Sequence, residues 1–223
     1  MNLDSLAYEE NYQKNLDFWE TAWQRVSKAV NTPPDFEYVR NIPVLLEKYQ
    51  IKSAIDLACG SGWLSFMLAE AGFGILGIDV SESAIKLAEQ VKKDIYDNNI
   101  NAEFQAQDIL TMRLEQKYDV AIINASFEHF DLERAKLLLD NVKNSLNKPG
   151  YIYGVYDQVG FGNKGEFIEL EDGTKQYNDE YRDGMFLRCF SDEELREIFK
   201  ELDLEIVEWD YVDNNSRSVL VRV

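Results

Sequence analysis

The stretch AIDLACGSG, residues 54–62, joins a short apolar run to a turn that contains two glycines. The apolar run is typical of a buried strand, and residues 63–71 are predicted to continue as a helix. Gly60 and Gly62 allow backbone angles and close contacts that a side chain would block. The start of the following helix offers unpaired backbone N–H groups. The turn is therefore a candidate ligand-binding turn, although a glycine pair is by itself a weak signal.

Short apolar segments and longer periodic segments alternate after this turn. We predict strands at 75–80, 102–107, 118–124, 151–156, 205–212 and 218–223. Helices are predicted after Ser81, over 132–146 and after the capping box of residues 191–194. Before residue 50, the apolar spacing of residues 16, 19, 23 and 26 predicts one helix that ends near residues 33–34, and a second helix is predicted over 35–49. This alternation is typical of an α/β fold, a mainly parallel sheet with helices on both faces.

Aspartates lie at three of the predicted strand ends or turns. Asp56 lies in the first strand, Asp79 ends the second, and Asp108 follows the third. Ligands of such folds bind beyond the carboxyl ends of the strands, and a carboxylate at the end of the second strand can accept hydrogen bonds from ribose hydroxyls. Each aspartate could instead be a buried acid or a turn former. Together with the glycines, the three favour a nucleoside-binding site.

In these motifs the chain resembles the class I S-adenosylmethionine-dependent methyltransferases that act on small molecules. The resemblance rests on DLACGSG, GIDVSESAIKLAEQ, FQAQDI, YDVAIINASFEHF, LNKPGYIY and RCFSDEELREIF, in that order along the chain. It implies a three-layer α/β sandwich whose seven-stranded, mostly parallel sheet has its last strand antiparallel. The expected organisation is an N-terminal helical cap, 1–50, and a donor-binding domain, 51–223, with an insertion at 158–187.

The resemblance implies S-adenosylmethionine as cofactor and S-adenosylhomocysteine as product. The glycine turn would pass under the methionine and ribose, Asp79 would bind the ribose hydroxyls, and Asp108 would bind the adenine amino group. Asp56 would steady the turn or meet the donor's amino group. The full expected cofactor set is Asp56, Ala58, Gly60, Ser61, Gly62, Asp79, Val80, Asp108, Ile109, Asn124 and Ala125. A dinucleotide site is the weaker alternative, because it would want a third glycine where Ser65 stands.

His129 is the single histidine of the chain and follows the fourth predicted strand, near the expected methyl group. It is our candidate catalytic base, since a histidine there could take a proton from a hydroxyl or amine. The alternative is a structural histidine that packs the loop.

For the acceptor, the insertion is expected to cover the pocket, with a hairpin turning at 172–173. A surface hairpin or a homodimer contact would explain it equally well. N-terminal aromatic residues could form the opposite wall, or simply pack in the core. The predicted substrate contacts are Tyr12, Trp19, His129, Tyr177, Tyr181, Arg182 and Arg188.

Composition narrows the function further. The 223 residues contain 41 acidic and 23 basic side chains, a formal net charge of −18, which disfavours nucleic-acid and anionic membrane partners. One histidine and two cysteines, Cys59 and Cys189, predict no metal site, no disulfide framework and a cytoplasmic location. We therefore predict methyl transfer to an oxygen or nitrogen of a small molecule. The alternatives are a non-catalytic donor-binding regulator and transfer of a different group from a related sulfonium.

Overall fold

The computed structural model describes residues 3–29, 31–157, 164–212 and 216–223, with side chains from residue 9 onward. Two helices precede the sheet, α1 (Leu3–Gln24) and α2 (Glu37–Lys48). The other helices are α3 (Trp63–Glu70), α4 (Glu82–Tyr96), α5 (Leu132–Asn144) and α6 (Asp192–Glu201). The main strands are β1 (Ser53–Leu57), β2 (Gly74–Asp79), β3 (Ala102–Ala106), β4 (Tyr118–Asn124), β5 (Leu146–Asp157), β9 (Glu205–Tyr211) and β10 (Ser216–Arg222). The intervening strands β6 (Phe167–Glu169), β7 (Lys175–Tyr177) and β8 (Phe186–Leu187) form a separate small sheet.

The main sheet has seven strands in the order β3-β2-β1-β4-β5-β10-β9. The β1, β2, β3, β4 and β5 pairings are parallel, whereas β10 runs antiparallel to both β5 and β9. The predicted seven-stranded sheet with an antiparallel last strand is therefore confirmed. The chain moves outward from β1 to β3 and then returns to β4 on the other side of β1. The carboxyl ends of β1 and β4 thus form the switch point at which such sheets open a crevice.

Alternate residues of the central strands pack into two separate apolar layers. Ile55 and Leu57 of β1 lie in the layer shared with α5 and α6, and Ala54 lies in the layer shared with α2, α3 and α4. Because successive strand side chains point to opposite faces, a nearly continuous apolar run is required when both faces are covered. This confirms the three-layer sandwich.

Local capping signals place the helix starts where the sequence predicts them. The Ser81 hydroxyl accepts from the backbone N–H of Ala84 at 3.1 Å. At α6, Ser191 and Glu194 form a reciprocal capping box. Two predicted boundaries are wrong. Helix α1 ends at Gln24 rather than near residues 33–34. Strand β5 begins at Leu146 rather than 151, and α5 ends at Asn144. Leu146 pairs with Tyr118 beyond an irregularity in the β4–β5 register, so a residue assigned to the helix face is buried in the sheet.

The predicted hairpin of the insertion is also present, as β6 and β7 pair antiparallel around Gly173. The sequence analysis did not predict the third strand, β8, which pairs with β7. Residues 158–163 of the predicted insertion lie outside the described residues. The small sheet packs on α1, where Tyr177, Met185 and Leu187 contact Phe18 and Trp19.

None of the helices in the described ranges combines the length and apolar character needed to cross a lipid bilayer.

Candidate functional site

A cavity of about 410 Å³ opens at the carboxyl ends of β1, β2 and β4, under the N-terminal helix α1. It combines the glycine turn, the strand-end aspartates and a wall of aromatic side chains. The described lining residues are Tyr12, Asn15, Leu16, Trp19, Trp23, Pro34, Phe36, Tyr38, Ala58, Cys59, Gly60, Ser61, Trp63, Asp79, Val80, Asp108, Ile109, Asn124, Ala125, Ser126, His129 and Phe130.

The glycine turn is held to the end of β2 by Asp79. One carboxylate oxygen of Asp79 accepts from the N–H of Gly60 at 2.8 Å, and the other accepts from the N–H of Ser81 at 2.8 Å. Ala58 has a φ of +55°, the left-handed region that glycine adopts without steric cost. This conformation explains why the commonest form of the motif has glycine at the position of Ala58. The turn is thus strained and braced at the point where it borders the cavity.

Asp79 is buried at the cavity floor. Burial raises the pKa of its carboxyl group, while the two backbone hydrogen bonds act in the opposite direction. A carboxylate has about four acceptor positions, so each oxygen can accept another hydrogen bond besides the backbone one. Asp79 can therefore brace the turn and still accept hydrogen bonds from a diol in the cavity.

Asp108 borders the same cavity from the end of β3. Its Oδ1 accepts from the N–H of Leu110 at 2.9 Å and from the hydroxyl of Tyr12, on α1, at 3.0 Å. Burial and the neighbouring Asp108 raise the pKa of Tyr12, so its hydroxyl stays protonated and donates. Asp108 thus links the end of β3, at the edge of the cavity, to α1 through the hydroxyl of Tyr12.

Two residues of the expected cofactor set, Asp56 and Gly62, are not among the residues that line the cavity. The carboxyl group of Asp56 is buried and accepts from the hydroxyl of Ser65 at 2.6 Å. Burial raises its pKa to about 7. Gly62 begins α3 at a φ of +88°, and a Cβ there would lie 2.8 Å from the Phe104 ring. Asp56 therefore contacts the start of α3 through Ser65, and Gly62 leaves room for the Phe104 ring. Neither residue borders the cavity.

Unpaired polar atoms follow β4 at the switch point. Asn124 Oδ1 and Ser126 Oγ are buried and have no hydrogen-bond partner. Between them, Ala125 adopts a φ of +52°, an uncommon conformation for a residue with a side chain. Buried polar groups are normally satisfied, and unsatisfied ones concentrate at functional sites. Both residues line the cavity, so their unpaired atoms are candidate ligand contacts.

His129 is held in one tautomer by the insertion. Its Nδ1 lies 2.9 Å from the carbonyl oxygen of Phe186 in β8, and a carbonyl can only accept, so Nδ1 carries the proton. Burial lowers the pKa of His129 to about 4, against a smaller opposing effect of that carbonyl. At neutral pH the ring is uncharged, and its Nε2 carries a lone pair. The Trp19 ring lies 4.5 Å from the His129 ring, between centroids.

Helix α1 covers the cavity through one face. The hydroxyls of Ser81 and Ser83 each donate to the carboxylate of Glu20 at 2.6 Å. Trp23 packs so closely on the glycine turn that a Cβ at Gly60 would lie 2.5 Å from its Cζ2. The sequence analysis did not assign Glu20 to the site. The helical spacing of 12, 16, 19 and 23 is the signal for this face, but it does not tell which surface the face covers.

The predicted acceptor contacts divide into two groups. Tyr12, Trp19 and His129 lie in the cavity. Tyr177, Tyr181, Arg182 and Arg188 do not, so their predicted position at the pocket is wrong.

Each of the four residues outside the cavity has another environment. Tyr177 is buried against the far side of α1, and Arg182 stacks over its ring while it pairs with Asp179 at 2.6 Å. Tyr181 is 75% exposed, and Arg188 pairs with Glu194 at 2.7 Å. The part of the insertion that reaches the site is β8, where the backbone carbonyl of Phe186 contacts Nδ1 of His129.

Glu128, which precedes His129, was also missed by the sequence analysis. It is buried, and its Oε2 has no hydrogen-bond partner. Burial, with a further effect of Asp157, raises its pKa to about 8, so the carboxyl group is mostly protonated at neutral pH. Glu128 is not one of the residues that line the cavity.

Among the described residues no group of three or more histidine, cysteine, aspartate or glutamate side chains is placed to hold a metal ion.

Comparison with known families agrees with this arrangement. A family profile described as a methyltransferase domain matches residues 50–202, which includes the glycine turn, both cavity aspartates and His129. The chain belongs to this methyltransferase family. The matched segment begins just before β1, so both α1 and α2 lie outside it.

The alignments with individual curated relatives cover only part of this chain and part of each relative. A ubiquinone biosynthesis O-methyltransferase of Coxiella burnetii is 29% identical over 114 residues, 51% of this chain and 46% of that protein. A malonyl-acyl-carrier-protein O-methyltransferase of Acetivibrio thermocellus is 35% identical over 131 residues, 58% of this chain and 42% of that protein. The chain thus spans less than half the length of either relative.

The fold has solved counterparts. The magnesium protoporphyrin IX methyltransferase of Synechocystis, solved with bound S-adenosylmethionine, superposes with a TM-score of 0.67 at 16% identity. The match covers 95% of this chain and 96% of that one. This likeness establishes the shared fold.

Proposed function

We propose that this protein binds S-adenosylmethionine in the cavity and transfers its methyl group to an oxygen or nitrogen of a small molecule. The observation that carries the proposal is the glycine turn braced by Asp79 at the switch point of the sheet. Family membership supports the same activity. The names of the two relatives, both O-methyltransferases, favour oxygen as the accepting atom.

The residues present fit a bound donor. A ribose requires acceptors for two hydroxyls, and Asp79 keeps acceptor positions free beside its backbone bonds. An ammonium group requires a hydrogen-bond acceptor, and Asn124 offers a buried, unpaired Oδ1. Gly60, Ser61, Val80, Asp108, Ile109, Ala58 and Ala125 complete the set of cavity residues that we assign to the donor. When bound, S-adenosylmethionine supplies an electrophilic methyl group on a sulfonium.

The protein's contribution is positioning and the exclusion of water. Alignment of two bound reactants can lower a barrier by about 7–11 kcal/mol. Helix α1 closes the cavity with Trp19 and Trp23, which limits access of water. His129 would accept the proton of the attacking hydroxyl or amine at Nε2, since Nδ1 is already committed to Phe186. The imidazolium formed in this way would remain hydrogen-bonded to that carbonyl.

Several further assignments belong to this proposal. Helices α1 and α2 would form the N-terminal cap of residues 1–50, on a donor-binding domain of residues 51–223. The net charge of −18 favours a small acceptor over a nucleic acid. Neither Cys59 nor Cys189 forms a disulfide, which supports a cytoplasmic location.

Calorimetric titration with S-adenosylhomocysteine and with its 2′-deoxy analogue tests the donor site. In the wild type, loss of the 2′-hydroxyl should cost about 1.5–3 kcal/mol, the value of a hydrogen bond to a charged group. In Asp79→Asn this difference should shrink, because the neutral amide oxygen that remains accepts a weaker hydrogen bond from the 2′-hydroxyl than the carboxylate does. Comparing the two ligands on each protein cancels any general loosening of the glycine turn.

Absence of S-adenosylhomocysteine and S-adenosylmethionine binding by the wild type would refute the proposal. An undiminished 2′-hydroxyl effect in Asp79→Asn would refute the role of Asp79 alone. Mass-spectrometric detection of a methylated product, with the donor's labelled methyl group, would separate an enzyme from a donor-binding regulator.

A further inference from the structure

The cavity is lined without a cationic side chain. The residues outside the described ranges include no lysine or arginine, so all 23 such side chains of the chain are described. None of them is among the residues that line the cavity, whereas Asp79 and Asp108 are. An anionic group that entered this cavity would leave water without gaining a counter-charge, which is costly.

One cation, Arg134, contacts a residue of the cavity wall, but its charge is already paired. Arg134 lies over the Tyr12 ring, 4.2 Å from its centroid. It is buried and bound to Asp131 at 2.8 Å, with Glu9 at 3.5 Å. To reach the cavity, the Arg134 guanidinium would have to break the buried pair with Asp131 and pass the Tyr12 ring. Breaking one side of a buried pair is strongly destabilising.

Flat aromatic surfaces form much of the cavity wall. Trp19, Trp23 and Trp63 border it, together with Phe36 and Tyr38. The Phe36 and Tyr38 rings are stacked, 5.8 Å apart with an interplanar angle of 11°. Such walls favour a planar aromatic ligand, because ring pairs contribute beyond the area that they bury.

The polar atoms left for a second ligand on the β4 side belong to His129 and Ser126, because Asn124 is assigned to the donor's ammonium group. His129 offers a lone pair at Nε2 once Nδ1 donates to Phe186. The hydroxyl of Ser126, which is unpaired, can both donate and accept. A ligand that satisfies His129 has to carry an O–H or N–H group. The hydroxyl of Ser61, which also lines the cavity, can donate a hydrogen bond to the donor's own carboxylate.

We propose that the methyl acceptor is a planar aromatic compound that carries no carboxylate or phosphate and presents an O–H or N–H group to His129. This inference rests on the proposed function, since it concerns the second substrate of the same cavity. It follows from the aromatic wall, the absence of a lining cation and the acceptor position at His129 Nε2.

The test uses pairs of compounds that differ in charge and hardly in shape. Each pair is an amide and the corresponding carboxylate: 3,4-dihydroxybenzamide and 3,4-dihydroxybenzoate, indole-3-acetamide and indole-3-acetate, and 3-hydroxynaphthalene-2-carboxamide and 3-hydroxynaphthalene-2-carboxylate. Each compound is titrated calorimetrically into protein saturated with S-adenosylhomocysteine. The amides should bind, each at least about tenfold more tightly than its carboxylate, which corresponds to about 1.4 kcal/mol.

A charge-insertion variant tests the cause of this preference. Phe36 is 57% exposed at the cavity rim, so Phe36→Lys can present a cation to the cavity without being buried. It should raise the affinity for the carboxylates about three- to tenfold. Phe36→Gln removes the ring without adding charge. Ile168→Lys, at a 51% exposed position outside the cavity, makes the same change in net charge and should leave the preference unaltered.

The outcomes separate the two proposals. A protein that fails to bind S-adenosylhomocysteine refutes the proposed function, and this inference with it. If S-adenosylhomocysteine binds and the carboxylates bind as tightly as the amides, the inference about charge is overturned while the proposed function stands. If none of the aromatic amides binds the S-adenosylhomocysteine complex, the inference of an aromatic acceptor is overturned.

Discussion

Replacing Glu20 by glutamine should weaken the attachment of α1 to the rest of the fold, because this carboxylate joins the helix to the start of α4. Its two oxygens accept from the hydroxyls of Ser81 and Ser83, each at 2.6 Å. The N–H of Ser83 adds a longer bond at 3.3 Å. Ser81 also caps α4 by accepting from Ala84 at 3.1 Å. Glutamine has the same shape, but it keeps one acceptor oxygen and loses the charge.

The expected cost follows from these bonds. A hydrogen bond to a charged group contributes about 1.5–3 kcal/mol, and Glu20 is partly exposed, so the lower end applies to the bond that glutamine cannot make. A negative charge at a helix N-terminus adds about 0.3–1 kcal/mol. The sum is about 2 kcal/mol. For a domain of this size, 1 kcal/mol shifts Tm by about 2–4 °C, so Glu20→Gln should lower Tm by about 4–8 °C.

Thermal unfolding followed by circular dichroism gives Tm, and hydrogen exchange read by mass spectrometry reports on α1 itself. Exchange over residues 3–24 should accelerate in the variant. Glu10→Gln is the matched control, because Glu10 lies on the same helix and makes an exposed pair with Lys14 at 3.1 Å. Such a pair contributes about 0.3–0.5 kcal/mol, so the control should barely change Tm.

The pH dependence gives an independent check. Burial would raise the pKa of Glu20, but the hydrogen bonds from Ser81, Ser83 and Gln24 outweigh it and lower the pKa to about 2. A group whose pKa is lowered by folding stabilises the protein above its unfolded value, 4.5, and loses this contribution as pH falls towards 2. The difference in Tm should therefore be constant from about pH 5 to 8 and shrink at pH 3. Equal Tm values for Glu20→Gln and Glu10→Gln, with unchanged exchange over α1, would refute the reasoning.

Other variants test the turn and the proposed base. Gly60→Ala should destabilise the protein by about 2–4 kcal/mol, since the new methyl group would both strain a left-handed backbone and collide with the Trp23 ring. Gly72→Ala is the control, because Gly72 has a φ of +97° and open space around it, so this variant adds strain without a collision. Denaturant titration measures the free energy of unfolding of both variants. His129→Gln should reduce methyl transfer about 10²- to 10⁴-fold if His129 is the base, whereas unchanged turnover would leave it a packing role. In the wild type, turnover should rise as the pH passes the pKa of His129, because only the neutral ring accepts a proton. Burial lowers this pKa from 6.5 to about 4, so the rise should be centred near pH 4.

Much of the fold follows from local signals that the sequence carries directly. The strand at residues 54–57, the cap at Ser81 and the capping box at 191–194 each depend on neighbours within a few residues. The glycine turn and Asp79 could be predicted for the same reason, because the end of a parallel strand is also the edge where its neighbours end.

The tertiary structure alone decided what faces the cavity. The apolar stripe of α1 predicts a helix, yet it does not specify the surface that it covers, since burial is not directional. Two arginines chosen for their chemistry are engaged outside the cavity instead, Arg182 by Asp179 and Arg188 by Glu194. The tautomer of His129 depends on Phe186, 57 residues away, and its lowered pKa depends on burial in the folded protein. Charge behaves in the same way: the sequence shows 23 cations, and only long-range packing determined that none of them lines the site.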